Sequence, residues 1–128
     1  MAVLGYPTRS EGVERALSEP GVTVLVAEIG GAVAGVLVGG ARWQLHHGAT
    51  TGSIDALVVD AAHRSAGLGA SLVHAFVEIL DRDGVPRVEA HSNARRTRAH
   101  RFYARHGFQA TSAYFVRELT QPTGEPVR

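Results

Sequence analysis

The stretch from Ile54 to Leu80 constrains the fold more than any other part of this 128-residue chain. It opens with an apolar run rich in β-branched residues, which predicts a buried strand. It then breaks at residues 60–62 and continues as Arg64-Ser65-Ala66-Gly67-Leu68-Gly69. From Leu68 onward the apolar residues recur at helical spacing. The predicted order is therefore strand, glycine-bearing turn, helix.

This order of elements predicts an anion-binding site at the turn. The first backbone N–H groups of a helix have no partner inside the helix, and they lie at the positive end of its dipole. Gly67 and Gly69 would let a ligand approach the backbone closely, and Arg64 adds a charged donor. We therefore expect a phosphate here. The alternative is a Gly-x-Gly turn that only joins a strand to a helix.

Three absences in the sequence narrow the chemistry. A dinucleotide-binding fingerprint would need a third glycine where Leu72 stands. All 13 basic residues are arginine, which excludes a lysine Schiff base and a phosphate loop of the Gly-Lys-Ser/Thr type. The chain contains 0 cysteines, so disulfides, thiolate metal ligands and cysteine nucleophiles are excluded as well.

The composition is that of an ordinary soluble domain, with 45% hydrophobic residues and a formal net charge of +1. The length predicts a single domain over residues 1–128, of which 120–128 form a frayed tail. We find no signal peptide and no apolar run of the roughly 20 residues that cross a bilayer. The expected location is the cytoplasm, away from membranes.

Pattern and turn residues predict a mixed α/β fold, in the order helix, strand, strand, strand, helix, strand, helix, strand or strand pair. A mixed sheet with helices on both faces follows, because only the crossover through the Leu68–Leu80 helix forms a β-α-β unit. Residues 42–52 are ambiguous between a continuing strand and a polar turn. The other predicted elements are a helix from Ser10 to Leu17, strands at 22–28, 32–40 and 85–91, a helix at 94–105, and a strand or strand pair at 108–119.

Two blocks of the sequence resemble the GCN5-related N-acetyltransferase (GNAT) family. The run from Val59 to Gly69 is similar to its coenzyme A signature, and the run from Asn93 to Phe108 to its pattern of asparagine, helix, Phe-Tyr and Gly-Phe. The hairpin at 24–39 resembles its second and third strands. The likeness covers about Leu4 to Leu119. It implies an acyl-CoA N-acyltransferase fold, with a central mixed, largely antiparallel sheet flanked by helices, that lacks the first strand and most of the first helix.

The resemblance also implies the reaction and its participants. Acetyl-CoA would be the co-substrate, and the primary amine of a small molecule or a protein would be the acceptor. The implied cofactor-binding residues come from three places. One is the strand that pairs with the pantetheine arm, another is the diphosphate loop, and two further positions complete the set. They are Leu57, Val58, Val59, Arg64, Ser65, Ala66, Gly67, Leu68, Gly69, Ala70, Asn93 and Tyr103.

Tyr103 and Asp55 are the predicted catalytic residues. Direct attack of the amine on the thioester would pass through a tetrahedral intermediate, whose oxyanion the N–H of Val59 could stabilise. Tyr103 matches the general acid of the family; the alternative is a half-buried core tyrosine. Asp55 is the expected base, His91 and Glu28 are weaker candidates, and bulk water could serve without any dedicated base.

The remaining predictions concern partners. We expect no metal, because His46 and His47 would point to opposite faces of a strand. We expect no nucleic acid, because the five arginines within 94–105 spread around their helix. An edge left by a missing strand allows a homodimer. Two other functions stay open: a catalytically weak acyl-CoA-binding sensor or partner module, and a basic nucleic-acid-binding domain.

Overall fold

The computed structural model describes residues 2–3, 21–91, 97–110 and 117–119. These contain five strands, two α-helices and two 3-10 helices, which cover Leu45–His47 and Ala61–Ala66. The strands are β1 (Ala2–Val3), β2 (Val22–Ile29), β3 (Ala32–Gln44), β4 (Ala49–Val59) and β5 (Arg87–Ala90), and the helices are α1 (Leu68–Arg82) and α2 (Thr97–Arg105).

The strands form one mixed sheet in the order β1-β4-β3-β2, with β5 also paired to β4. The β2–β3 and β3–β4 pairs are antiparallel, whereas β4 and β5 are parallel over Thr51–Ile54 and Arg87–Ala90. The parallel pair is joined by α1, as predicted for a crossover connection. The predicted mixed, largely antiparallel α/β fold is therefore confirmed.

Most element predictions in the described residues are correct in type and differ at the ends. The strand at 32–40 extends to Gln44, and β4 begins at Ala49 rather than at Ile54, so the ambiguous segment is mostly strand. The predicted strand at 85–91 is shorter, because it pairs with β4 only over Arg87–Ala90. Residues 108–110 form no strand, which corrects the predicted start there. The predicted helix at 10–17, the start of the helix at 94–96, residues 111–116 and the tail at 120–128 lie outside the described residues.

Helix α1 packs on one face of the sheet through its apolar stripe. Its buried residues include Phe76 and Leu80, which the helical spacing predicts. A Cβ at Gly39 would lie 2.9 Å from the Phe76 ring, and a Cβ at Gly52 would collide with Leu80. These two glycines therefore let the helix approach the strands closely. Burying a side chain such as Phe76, which is 1% exposed, contributes about 1.5–3 kcal/mol.

A β-bulge interrupts β4 at Asp55. Val38 of β3 pairs with Ala56 and Gly39 pairs with Ile54, so Asp55 has no partner on β3. Ile54 and Leu57 both belong to the core on the α1 side. On a regular strand, two residues that are three positions apart point to opposite faces of the sheet. The extra residue restores both side chains to the core. The pairing of β4 with β5 ends at the same point, at Ile54 and Ala90.

Candidate active site

The predicted anion-binding turn is built from the 3-10 helix at Ala61–Ala66 and the start of α1. The Asp60 carboxylate accepts a hydrogen bond from the Ala62 N–H at 3.1 Å and so caps the 3-10 helix. Gly67 follows with φ +74°, the left-handed conformation that favours glycine. No heavy atom lies within 4 Å of the position of a Gly67 Cβ, so space is open there.

The backbone at the start of α1 supplies the donors that the prediction requires. The Ser71 N–H makes a helical hydrogen bond to the Gly67 carbonyl at 3.1 Å. The N–H groups of Leu68, Gly69 and Ala70 precede it and have no acceptor within the helix. The first turn contains no acidic residue that would repel an anion. Arg64, Ser65 and Ala66 belong to the 3-10 helix, and Asn93 lies outside the described residues, so their binding roles stay predictions.

The predicted pantetheine strand offers its backbone rather than its side chains. Leu57, Val58 and Val59 are each at most 2% exposed because their side chains lie in the core. One edge of β4 pairs with β3. On the other edge, the pairing of β4 with β5 ends at Ile54. Beyond it, Ala2–Val3 pair antiparallel with Val59 and Val58 of β4. The coenzyme role of this edge stays a prediction.

Tyr103 lies in the hydrophobic core on the α1 side and is 7% exposed. Its ring makes edge-to-face contacts with Phe102, at a centroid distance of 5.3 Å, and with Phe108, at 5.2 Å. Burial raises the pKa of the Tyr103 hydroxyl to about 12. The hydroxyl therefore keeps its proton at neutral pH, and its role as a general acid stays a prediction.

Asp55 lies on the opposite face of the sheet from Tyr103. Gly52 faces α1, so its neighbour Ser53 faces away from it, and the Ser53 hydroxyl donates a hydrogen bond to Oδ1 of Asp55 at 2.7 Å. Asp55 is exposed and stands at the bulge, one residue beyond the last β4–β5 pair. The structure thus places the two predicted catalytic residues on different faces of the sheet, with Asp55 next to the end of the β4–β5 pairing.

A polar network on the same face as Asp55 was not predicted. The Arg87 guanidinium donates from Nη1 to Oε1 of Glu89 at 2.9 Å, to Oγ1 of Thr51 at 3.4 Å and to Oε1 of Gln44 at 3.5 Å. His91 Nε2 lies 3.6 Å from the other carboxylate oxygen of Glu89. The alternation Arg87-Val-Glu89-Ala-His91 indicates a strand with one polar face, but the partners of Arg87 on β3 and β4 depend on the parallel pairing of β5 with β4.

Two further observations concern histidines and metals. The His46 and His47 rings lie next to each other on the 3-10 helix, tilted by 46°, with a centroid distance of 4.0 Å. Desolvation lowers the pKa of His47, and the positive charge of Arg87 lowers it further. Within the described ranges, no three His, Cys, Asp or Glu side chains are grouped in a way that could hold a metal ion.

Comparison with known proteins identifies the class to which this fold and site belong. The chain is 18% identical to an aminoglycoside N-acetyltransferase solved in complex with coenzyme A, with a TM-score of 0.73, over 85% of this chain and 74% of that one. It is 21% identical to a transcriptional regulator from Bacillus halodurans C-125, with a TM-score of 0.75, over 84% of this chain and 73% of that one. At these identities the likeness establishes the fold alone.

Sequence comparison goes further. Residues 4–108 match the model of the acetyltransferase (GNAT) family. The chain is also 30% identical, over 116 residues, to an aminoalkylphosphonate N-acetyltransferase of Salmonella typhimurium, a match that covers 91% of this chain and 75% of that protein. The chain therefore belongs to the GNAT family of N-acetyltransferases, whose members use acetyl-CoA. In the part of the chain that the structure describes, no helix has the length and apolarity to cross a membrane.

Proposed function

We propose that this N-acetyltransferase moves an acetyl group from acetyl-CoA to the primary amine of a small molecule at the opening between β4 and β5. The observation that carries the proposal is the bulge at Asp55, which coincides with the last β4–β5 pair, Ile54 with Ala90. An exposed carboxylate stands on one face of the sheet at this opening, and the Tyr103 hydroxyl lies in the core on the other. A thioester in the opening would have an amine site on one side and a proton donor on the other.

The turn before α1 fits the diphosphate of coenzyme A. The backbone N–H groups of Leu68, Gly69 and Ala70 are the donors, and the left-handed Gly67 leaves open space beside them. The edge of β4 at Leu57 to Val59 would bind the pantetheine amides as an added strand does, in the place that Ala2–Val3 take beside Val58 and Val59. When bound, acetyl-CoA supplies the activated acetyl group and a thiolate leaving group.

Asp55 would hold the acceptor amine. An amine with a pKa of about 10 is mostly protonated at neutral pH, so it arrives as an ammonium ion and must lose a proton before it can react. The carboxylate of Asp55 attracts the ammonium ion and passes its proton to water. The Ser53 hydroxyl, 2.7 Å from Oδ1, fixes the carboxylate and leaves Oδ2 for the substrate.

Tyr103 would hold the proton that the leaving thiolate takes up. Its pKa of about 12 keeps the hydroxyl protonated throughout the physiological range. Its position in the core, against Phe102 and Phe108, restricts the ring to one orientation. A hydroxyl that is already protonated and oriented needs little rearrangement at the moment of transfer.

The acceptor is the least constrained part of the proposal. The similarity to an aminoalkylphosphonate N-acetyltransferase makes aminoalkylphosphonates the first acceptors to test. We also propose a cytoplasmic enzyme, since a chain with 0 cysteines needs no oxidising compartment. A homodimer is a further proposal, supported by the outer edge of β2, which pairs with no other described strand.

The test is acetyl transfer from acetyl-CoA to a panel of aminoalkylphosphonates, simple alkylamines, aminoglycosides and peptides, followed as release of the coenzyme thiol. We expect turnover that requires both substrates and that falls at least tenfold in Asp55→Asn, mainly through KM. Glu78→Gln is the matched control, because it removes a carboxylate from the exposed face of α1. Binding of acetyl-CoA without transfer to any amine would instead support the acyl-CoA sensor.

A further inference from the structure

Two carboxylates, Asp55 and Glu89, lie on the sheet face opposite α1, and their surroundings differ. Glu89 is held at both oxygens, by the Arg87 guanidinium, whose Nη1 lies at 2.9 Å, and by the His91 imidazole, whose Nε2 lies at 3.6 Å. Asp55 accepts a hydrogen bond from the neutral Ser53 hydroxyl and forms no ion pair with another described residue. Asp55 is therefore the carboxylate on this face that can attract a further cation.

The backbone positions of the two carboxylate residues are spaced like the ends of a short diamine. Glu89 is the register partner of Ser53 on the neighbouring strand, and Asp55 is two residues further along β4. Strands lie about 4.8 Å apart and two residues span about 6.6 Å, so the backbone positions of Asp55 and Glu89 are roughly 8 Å apart. An acceptor whose two ammonium groups are separated by five carbons could reach both side chains.

Arg87 prevents Glu89 from serving as that second cation site. Its Nη1 atom also contacts Thr51 on β4 and Gln44 on β3, so the guanidinium is fixed across three strands. The Arg87 and Glu89 side chains are 36% and 28% exposed, so their charges are only partly screened by water. With this pair in place, Asp55 is the described carboxylate near the end of the β4–β5 pairing whose negative charge stays uncompensated.

We propose that Arg87 is a specificity-determining residue of the acetyltransferase, one that cancels the charge of Glu89 and so tunes the acceptor site to amines with a single positive charge. This inference rests on the proposed function, in which Asp55 receives the acceptor amine. Arg87 makes no contact with the reacting amine and acts through Glu89. Diamines are disfavoured in the natural enzyme because the second ammonium ion meets a carboxylate that is already paired.

A charge-cycle experiment tests the inference with cadaverine and pentylamine, which share a five-carbon chain and differ in one ammonium group. The measured quantity is the ratio of kcat/KM for cadaverine to that for pentylamine. Arg87→Gln frees the Glu89 carboxylate, and we expect the ratio to rise roughly 3- to 10-fold. Glu89→Gln leaves the Arg87 charge uncompensated, and the ratio should fall. The double variant should return to the wild-type ratio.

The ratio is expected to rise in Arg87→Gln and to fall in Glu89→Gln, and these opposite changes separate this role from a structural one. A loosened sheet would lower the activity toward cadaverine and pentylamine alike, without moving the ratio in opposite directions in the two variants. A ratio that stays constant in Arg87→Gln and Glu89→Gln would overturn the proposal. So would a loss in Arg87→Gln confined to aminoalkylphosphonates, which would assign Arg87 to the anionic end of the acceptor. If Arg87→Gln fails to fold, the fall in the cadaverine-to-pentylamine ratio expected in Glu89→Gln still decides the question. If the wild-type chain acetylates no amine at all, it is the proposed function that fails.

Discussion

Replacing Tyr103 by phenylalanine tests the proposed proton donor with a change of one hydroxyl group. Burial of the ring raises the hydroxyl pKa to about 12, whereas a thiol leaving group has a pKa near 8.5. Full transfer of the proton to the thiolate is therefore uphill by about 3.5 pKa units, or ~4.8 kcal/mol. General acids contribute about 10²- to 10⁴-fold to rates, and this mismatch favours the lower end. We expect Tyr103→Phe to lower kcat by about 10²-fold.

The assay is steady-state release of coenzyme A at saturating acetyl-CoA and amine, with thermal unfolding of the same samples. The ring contacts with Phe102 and Phe108 do not involve the hydroxyl, so we expect Tyr103→Phe to change the free energy of unfolding by less than about 1 kcal/mol. Phe102→Leu is the matched control. It disturbs the same core, so it should lower stability more and kcat less.

Full turnover in Tyr103→Phe would refute the reasoning, since a proton donor in the transition state cannot be removed without a cost in rate. Tyr103 would then be a core residue, in agreement with its contacts. A loss of kcat matched by an equal loss of folded protein would lead to the same conclusion.

Three further predictions follow from the described residues. Because the pKa of Tyr103 is about 12 in the folded protein and ~10 in the unfolded chain, its contribution to stability is complete below pH ~10 and is lost as pH rises toward about 12, by at most ~2.7 kcal/mol. The free energy of unfolding of Tyr103→Phe, measured at pH 9 and 11.5, should lack this loss. Gly39→Ala should destabilise the fold by about 2–4 kcal/mol in urea, because its Cβ would collide with the Ser53 carbonyl oxygen and meet Phe76 at 2.9 Å. Gly48→Ala, with φ +60° and open space, should cost only about 1–2 kcal/mol. Deletion of Ala2–Val3 should tighten acetyl-CoA binding in calorimetry, because these residues pair with the β4 edge proposed for pantetheine; unchanged or weaker binding would contradict that placement.

The sequence was sufficient for elements whose pattern is local. The helix from Leu68 was predicted because its apolar residues repeat at helical spacing, and the hairpin at Gly30-Gly31 because glycines supply positive φ there. The extension of β4 back to Ala49 was not predicted. Thr50 and Thr51 favour a strand but Ala49 and Gly52 do not, so the local signal is mixed and the strand is established by pairing with β3.

The candidate site was predictable only in part, for the same reason. The glycine turn follows from the chain itself, and so does a carboxylate next to the buried strand. The bulge at Asp55 is a shift in the pairing of β4 with β3, which no local pattern encodes. The pairing of Arg87 with Glu89 is local along β5, but its meaning depends on the parallel register that puts Glu89 beside Ser53.

Amine-dependent acetyl transfer by the purified chain tests the central claim most directly. We predict that acetyl-CoA and an aminoalkylphosphonate or a simple alkylamine together give coenzyme A and the N-acetylated amine in equal amounts, detected by thiol titration and mass spectrometry. Asp55→Asn should reduce both products alike. Acetyl-CoA binding with no acetylated product from any amine of the panel would contradict the claim.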